Sequence, residues 1–365
     1  MDRLDELLTY LERIIDTDHL DHVTNVLSDQ LDYKPLDTIP LRVAYPLEEF
    51  PPYTMAETHE DMGKMMYNEL RACVVQLESK DYSLPMIRTN YGVGTLPSLF
   101  GLHSRLVNNN MPWVDHLESE EQVRELISKG VPDLDAGFGK KVSLTHEFYR
   151  EKLSHYPKCS QYIHVFHPDL QGPFDVAHLV YGPDIYTAVY DDDELIHSLM
   201  DLCTETYIKF MDRIKTEIND DIDGKCYHWG ALYGGRIVLR DDSPVNLSLD
   251  MYKEFAKQYD DRILDHFGTG SMHFCGRADQ WIFEMAATPN LLSLNFGWME
   301  KLVFGQEYLD FIMPELSKNK KSVISYTLTE KELETFDFEK YNTGINFTVS
   351  FPTKEKALAA LKKYR

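Results

Sequence analysis

The chain has 365 residues, 43% of them hydrophobic and 27% charged, which excludes the disordered and fibrous classes and is enough for a large buried core. Its formal net charge of −23 argues against nucleic-acid binding and against docking on anionic lipid, since both draw on clustered Lys and Arg. No apolar run approaches the ~18 residues of a spanning helix, the start at Met1-Asp2-Arg3 lacks a secretory pattern, and five cysteines without a CxxC fit a reducing compartment, so a cytoplasmic protein is expected.

In chain order, the first predicted element is a helix on which Leu4, Leu7, Leu8, Leu11, Ile14 and Ile15 share a stripe. A first apolar run, 40–45, reads as a strand, and the Pro-bearing 46–52 as a loop. Met62, Met65, Met66, Leu70, Val74 and Leu77 mark a second helix, followed by a strand at 85–90. Ser119-Glu120-Glu121-Gln122 is a capping box opening a helix that Gly130 closes. The remaining strand runs are 162–166, 236–239, 271–275, 291–296, 322–326 and 344–350. Between them, helices are expected after Asp191-Asp192-Asp193, over 248–268, after the box Thr329-Glu330-Lys331-Glu332, and over 354–363. Several of these runs are continuously apolar, as in strands buried on both faces. Eight of them alternating with helices predict a single α/β (β/α)8 barrel over 40–365, with an N-terminal helical extension at 1–39 and an insertion between Asn90 and Tyr162.

In such a barrel, chemistry gathers at the C-terminal strand ends. Met272-His273-Phe274-Cys275-Gly276 places His273 and Cys275 on one side of a strand, half of a tetrahedral zinc set, or else a core histidine and a small buried thiol. Asp241 and Asp242, in Arg240-Asp241-Asp242-Ser243-Pro244, could act as acid and base, orient a ligand, or cap the next helix. His228, just upstream in the aromatic segment Tyr227-His228-Trp229-Gly230, could serve the same site as a catalytic residue, or else be polar surface. His164 lies on the third strand, the turn Gln171-Gly172-Pro173 follows it, and Tyr91 opens the Tyr91-Gly92-Val93-Gly94 segment after the second. That GxG lacks the third glycine of a dinucleotide fingerprint.

At Gln171-Gly172-Pro173-Phe174, Asp241-Asp242-Ser243 and His273-Phe274-Cys275-Gly276, order and spacing resemble the uroporphyrinogen decarboxylase superfamily. The resemblance runs from about Pro40 to the end and is greatest for the branch of corrinoid-dependent, zinc-type methyltransferases. It implies a (β/α)8 barrel in which a HxC pair and a later Cys hold zinc, and the zinc holds a thiol that accepts a methyl group from a corrinoid. His273 and Cys275 match the first two ligands, but Cys275 is the last cysteine of the chain. His228, Asp241, Asp242 and Glu300 are the candidates for the third. In this reading Gln171, Gly172, Tyr91 and His164 line the cavity of a corrinoid or other tetrapyrrole. The partners are a small-molecule or corrinoid-protein methyl donor and, as in many such barrels, a second copy of the chain. The decarboxylase branch departs further: the Ala44-Tyr45-Pro46-Leu47-Glu48-Glu49-Phe50 segment lacks its arginines, and no Phe-Ser-Asp follows the second strand. A porphyrinogen decarboxylase, a tetrapyrrole-binding barrel without turnover, and a lyase or hydrolase built on the Asp pair stand as alternatives.

Overall fold

The computed structural model describes residues 2–106, 112–297 and 305–364. Each of the eight apolar runs carries a strand: β1 (Leu41–Ala44), β2 (Met86–Arg88), β3 (His164–Phe166), β4 (Val238–Arg240), β5 (Gly270–Cys275), β6 (Leu291–Gly297), β7 (Ser322–Leu328) and β8 (Ile345–Ser350). Six form one parallel sheet in the order β1-β8-β7-β6-β5-β4, and β2 pairs in parallel with β3. Parallel neighbours need long crossovers, and helices supply them. Register sets the later chemistry: Arg240 of β4, His273 of β5 and Asn295 of β6 stand opposite one another in a row.

The two breaks in the ladder have local causes. A three-stranded antiparallel unit, Asp221–Ile222, Lys225–His228 and Ala231–Gly234, precedes β4. Its last two strands form a hairpin whose two-residue turn is Trp229-Gly230, with φ 43° and 77°. Both values are positive, as the tight turns matched to strand twist require. The base of the hairpin meets the starts of β5 and β6, where Ser271 Oγ donates to Gly234 O (2.6 Å) and Gly234 N donates to Ser293 Oγ (3.1 Å). Cys226, Ala231 and Tyr233 pack between Val238 of β4 and Ile324 of β7, so the hairpin lies within the curve of the sheet. Its tip occupies the gap beside β2, where Leu84 N donates to Gly230 O (2.9 Å). In the other gap, between β3 and β4, Val238 N donates to the His167 ring (3.1 Å). A side chain there takes the place of a strand partner.

The helices begin and end where caps and period place them. Helix α1 (Arg3–Ile14) buries Leu4, Leu7, Leu8 and Leu11, each worth about 1.5–3 kcal/mol, against α3 (Met62–Ser79). Helix α2 (Thr17–Leu31) lies between them in sequence, capped by Asp16. Its Gln30 accepts from Asn346 Nδ2 of β8 (2.7 Å), which ties the N-terminal helices into the main core. The insertion holds α4 (Glu120–Lys129), where Ser119 accepts from Gln122 N and Gly130 ends the helix. After β3 come α5 (Pro173–Tyr181) and α6 (Asp193–Glu217). No helix among the described residues is long and apolar enough to cross a membrane.

Candidate metal centre

The site is assembled where β4 and β5 end. Asp241 N continues the ladder by donating to His273 O (2.9 Å), and the chain then turns. Asp175, in the first turn of α5, accepts from Asp242 N (2.8 Å) and Ser243 N (2.6 Å), which fixes that turn. Asp242 Oδ1 in turn accepts from Cys275 N (2.6 Å). His273 and Cys275 share a side of β5 as period-two alternation dictates, with Cys275 Sγ 3.7 Å from His273 Nε2. His273 Nε2 lies 3.9 Å from Asp242 Oδ1. One nitrogen, one sulfur and one carboxylate oxygen thus lie within 4.8 Å of one another. Room for them depends on Gly297, where a Cβ would come within 2.5 Å of Cys275 Sγ.

The next shell orients the imidazole. His273 Nδ1 lies 2.6 Å from Asn295 Oδ1, while Asn295 Nδ2 donates to Ile324 O (2.7 Å). The amide is therefore oriented with its oxygen toward His273, so Nδ1 carries the proton and the Nε2 lone pair faces Cys275 and Asp242. Outer partners that fix a tautomer in this way are a regular feature of metal-ligating histidines. Burial holds His273 below its ordinary pKa, with Asp242 acting in the opposite sense. Burial, reinforced by Asp242, pushes the Cys275 thiol up to about 12. The neutral imidazole is ready to ligate, whereas the thiol would give up its proton only to the charge of a bound divalent cation. The donor set and its outer shell therefore fit zinc, which takes Cys, His and carboxylate ligands.

Beneath the cluster runs an ion-pair network. Asp169 pairs with Arg240 and, at 3.4 Å, with Arg88, and it accepts from Gln171 Nε2 (2.5 Å). Burial alone would raise the Asp169 carboxyl, but the two arginines hold it at about 2. The Arg240 guanidinium lies 4.3 Å from the centre of the Trp229 ring, and its Nη2 donates to His228 Nε2 (2.9 Å).

Of the residues singled out in the sequence, Asp242, His273 and Cys275 are brought together. Asp241 is not with them: it is sealed beside Asp260 and Asp175, and burial first, then Asp260, raises its carboxyl well above the usual range. His228, at the hairpin tip, is fully buried, and among the described residues it reaches the cluster through Trp229 and Arg240. Burial, then His167 and Arg240, keeps it far below its ordinary pKa, hence neutral. Gln171 joins the floor through Asp169. Gly172 backs Asp241, where a Cβ would come within 2.9 Å of Asp241 Oδ1. Tyr91 lies in the packing of the insertion, stacked on Phe138 with its hydroxyl 2.8 Å from Thr145 Oγ1. His164 starts β3, at the other end of the strand, where it stacks on Tyr227. Glu300 falls outside the described residues.

Sequence reasoning passed over Asp169, Asp175, Trp229 and Asn295. Asn295 had a usable signal, a lone amide inside the apolar run Leu291-Leu292-Ser293-Leu294-Asn295-Phe296. Asp175, two residues past a Gly-Pro, carried none.

Among solved structures, the chain is similar to a methyltransferase from Methanosarcina mazei, with a TM-score of 0.63 and 16% identity over 94% of this chain and 97% of that one. At that identity the likeness establishes a shared fold. No protein-family model matches the chain, and no curated protein matches it.

Proposed function

We propose that this protein is a zinc-type methyltransferase of the uroporphyrinogen decarboxylase superfamily, with Asp242, His273 and Cys275 as its metal ligands. The observation that carries the reading is the convergence of those three donors within 4.8 Å. It supplies a carboxylate where the resemblance implies a second cysteine. Three protein ligands beside a partly exposed face, the Asp242 side chain being 41% exposed, is the pattern of catalytic zinc, which keeps a position open. Zinc bound there would supply a Lewis acid that holds an acceptor thiol as its thiolate near neutral pH. The chain's own part is positional. Asn295 sets the His273 tautomer, Asp175 fixes the backbone of Asp242, and Gly297 keeps the cluster clear. In this reading the methyl donor is a corrinoid carrier, residues 40–365 close as a (β/α)8 barrel sealed at its seams by the hairpin and His167, and residues 1–39 are an extension.

Elemental analysis of tag-free protein tests this, with wild type beside His273→Ala and Cys275→Ser. The expected result is about one zinc per wild-type chain, lost in both variants, and methyl transfer from methylcobalamin to a thiol that follows the zinc content. Wild-type protein that stays metal-free after incubation with zinc would contradict the reading.

A further inference from the structure

The tip of the inserted hairpin holds a bulky residue where the backbone resists one. Trp229 has φ 43°. The first position of such a turn usually belongs to Asn, Asp or Gly, because a Cβ is strained in the left-handed region. Backbone strain of this kind persists when surrounding contacts over-determine it, and here those contacts lead to His273. The Trp229 ring stands nearly perpendicular to the His273 imidazole, with centroids 4.6 Å apart and an interplanar angle of 74°. Its own position is fixed twice. The Arg240 guanidinium covers the ring at 4.3 Å, and Arg42, itself bonded to Ser325 and Ser83, donates to Trp229 O at 2.6 Å.

His273 needs such a wall. Its hydrogen bond to Asn295 fixes one edge of the ring, but a single hydrogen bond leaves the ring free to pivot about that contact. Terminal torsions of this type are broad. A perpendicular aromatic surface removes the pivot.

We propose that Trp229 is a positioning residue for His273: the hairpin threaded inside the sheet delivers an aromatic wall that sets the tilt of the imidazole, and so the aim of Nε2 toward Cys275 and Asp242. The inference rests on the reading of those three residues as metal ligands, and it extends that reading to a residue on a separate element.

The test is a titration of metal-free, full-length protein with Co²⁺, followed by the visible and near-ultraviolet absorption of the bound ion, then competition with Zn²⁺. The proteins are wild type, Trp229→Asn, Trp229→Phe and, as a control, Trp113→Phe. Asn keeps a residue the turn favours and removes the wall, so Co²⁺ binding is expected to weaken about ten- to a hundredfold, as loss of outer support for a histidine ligand does, and the visible bands to shift. Phe keeps a flat ring and is expected to restore most of the affinity and the wild-type bands. The Trp113 variant should match wild type. If the Asn variant does not fold, Trp229→Leu, which keeps bulk without a flat ring, is expected to show the same loss. Wild-type affinity and spectrum in a folded Asn or Leu variant would overturn the positioning role and leave the metal centre standing. Wild-type protein that binds neither Co²⁺ nor Zn²⁺ would remove the metal reading and this inference with it.

Discussion

Asp241 is 1% exposed and lies against Asp260 and Asp175, whereas the side chain of Asp242, the next residue, is 41% exposed and meets His273 and Cys275. Both follow the same strand, and the turn that Asp175 holds, with Asp242 already in helical backbone (φ −76°, ψ −37°), sends their side chains to different sides. On one side carboxylates are packed among themselves, so the local free energy favours holding protons between them. On the other, a carboxylate, an imidazole and a thiol converge with access to solvent, which favours a cation. A pair of acidic residues at a strand end is thus two different chemical devices, and the environment, not the residue type, separates them.

The largest way to break the contrast is to remove what supports both sides. Arg240→Met leaves Asp169 buried without its closest partner, and breaking a buried pair in this way costs about 3–5 kcal/mol. Urea unfolding should register that loss. Gly172→Ala acts on the sealed side, where the new methyl meets Asp241 Oδ1 and Arg240 O at 2.9 Å. Overpacking of this kind costs about 1–3 kcal/mol, and chemical denaturation would show it without a change in zinc content. Asn295→Ala acts on the open side and is expected to lower zinc affinity about tenfold or more with little change in melting temperature, measured by competition with a chromophoric chelator.

The sealed side also responds to pH. Asp260 is raised to about 8, by burial first, while an unfolded aspartate titrates near about 4. Between those values the native state keeps a proton that the unfolded state has lost. The contribution of Asp260 therefore favours the fold most at low pH and declines as pH rises toward 8. Asp260→Asn should flatten that decline, and thermal melts from pH 5 to 8 that run parallel for variant and wild type would refute it. The smallest effect is at a distance from both sides. Thr329→Ala removes one half of a capping box, worth about 1 kcal/mol, and should leave zinc binding unchanged.

The strands were legible in the sequence because continuous apolar runs such as 291–296 have one stable use, burial on both faces. The helices were legible because Ser119, Asp192, Ser248 and Thr329 cap where they stand in the sequence. The hairpin was not. Trp229-Gly230 does not resemble the Asn-Gly or Asp-Gly pairs that announce a tight turn, so its flanks read as a loose aromatic segment rather than as a plug within the sheet. His273 and Cys275 could be paired from spacing alone, since two residues apart on a strand means one side. The choice of Asp242 over Asp241 or His228 could not be made that way. It depends on Asp175, 67 residues earlier in the chain, which holds the turn that aims Asp242 at the cluster.

Paired isosteric variants separate the two carboxylates: zinc content per chain for Asp241→Asn and Asp242→Asn, measured beside wild type under one loading protocol. About one zinc is expected in wild type and in Asp241→Asn, and loss of zinc in Asp242→Asn. A folded Asp241→Asn protein that loses its zinc while Asp242→Asn keeps a full complement would contradict the choice of Asp242.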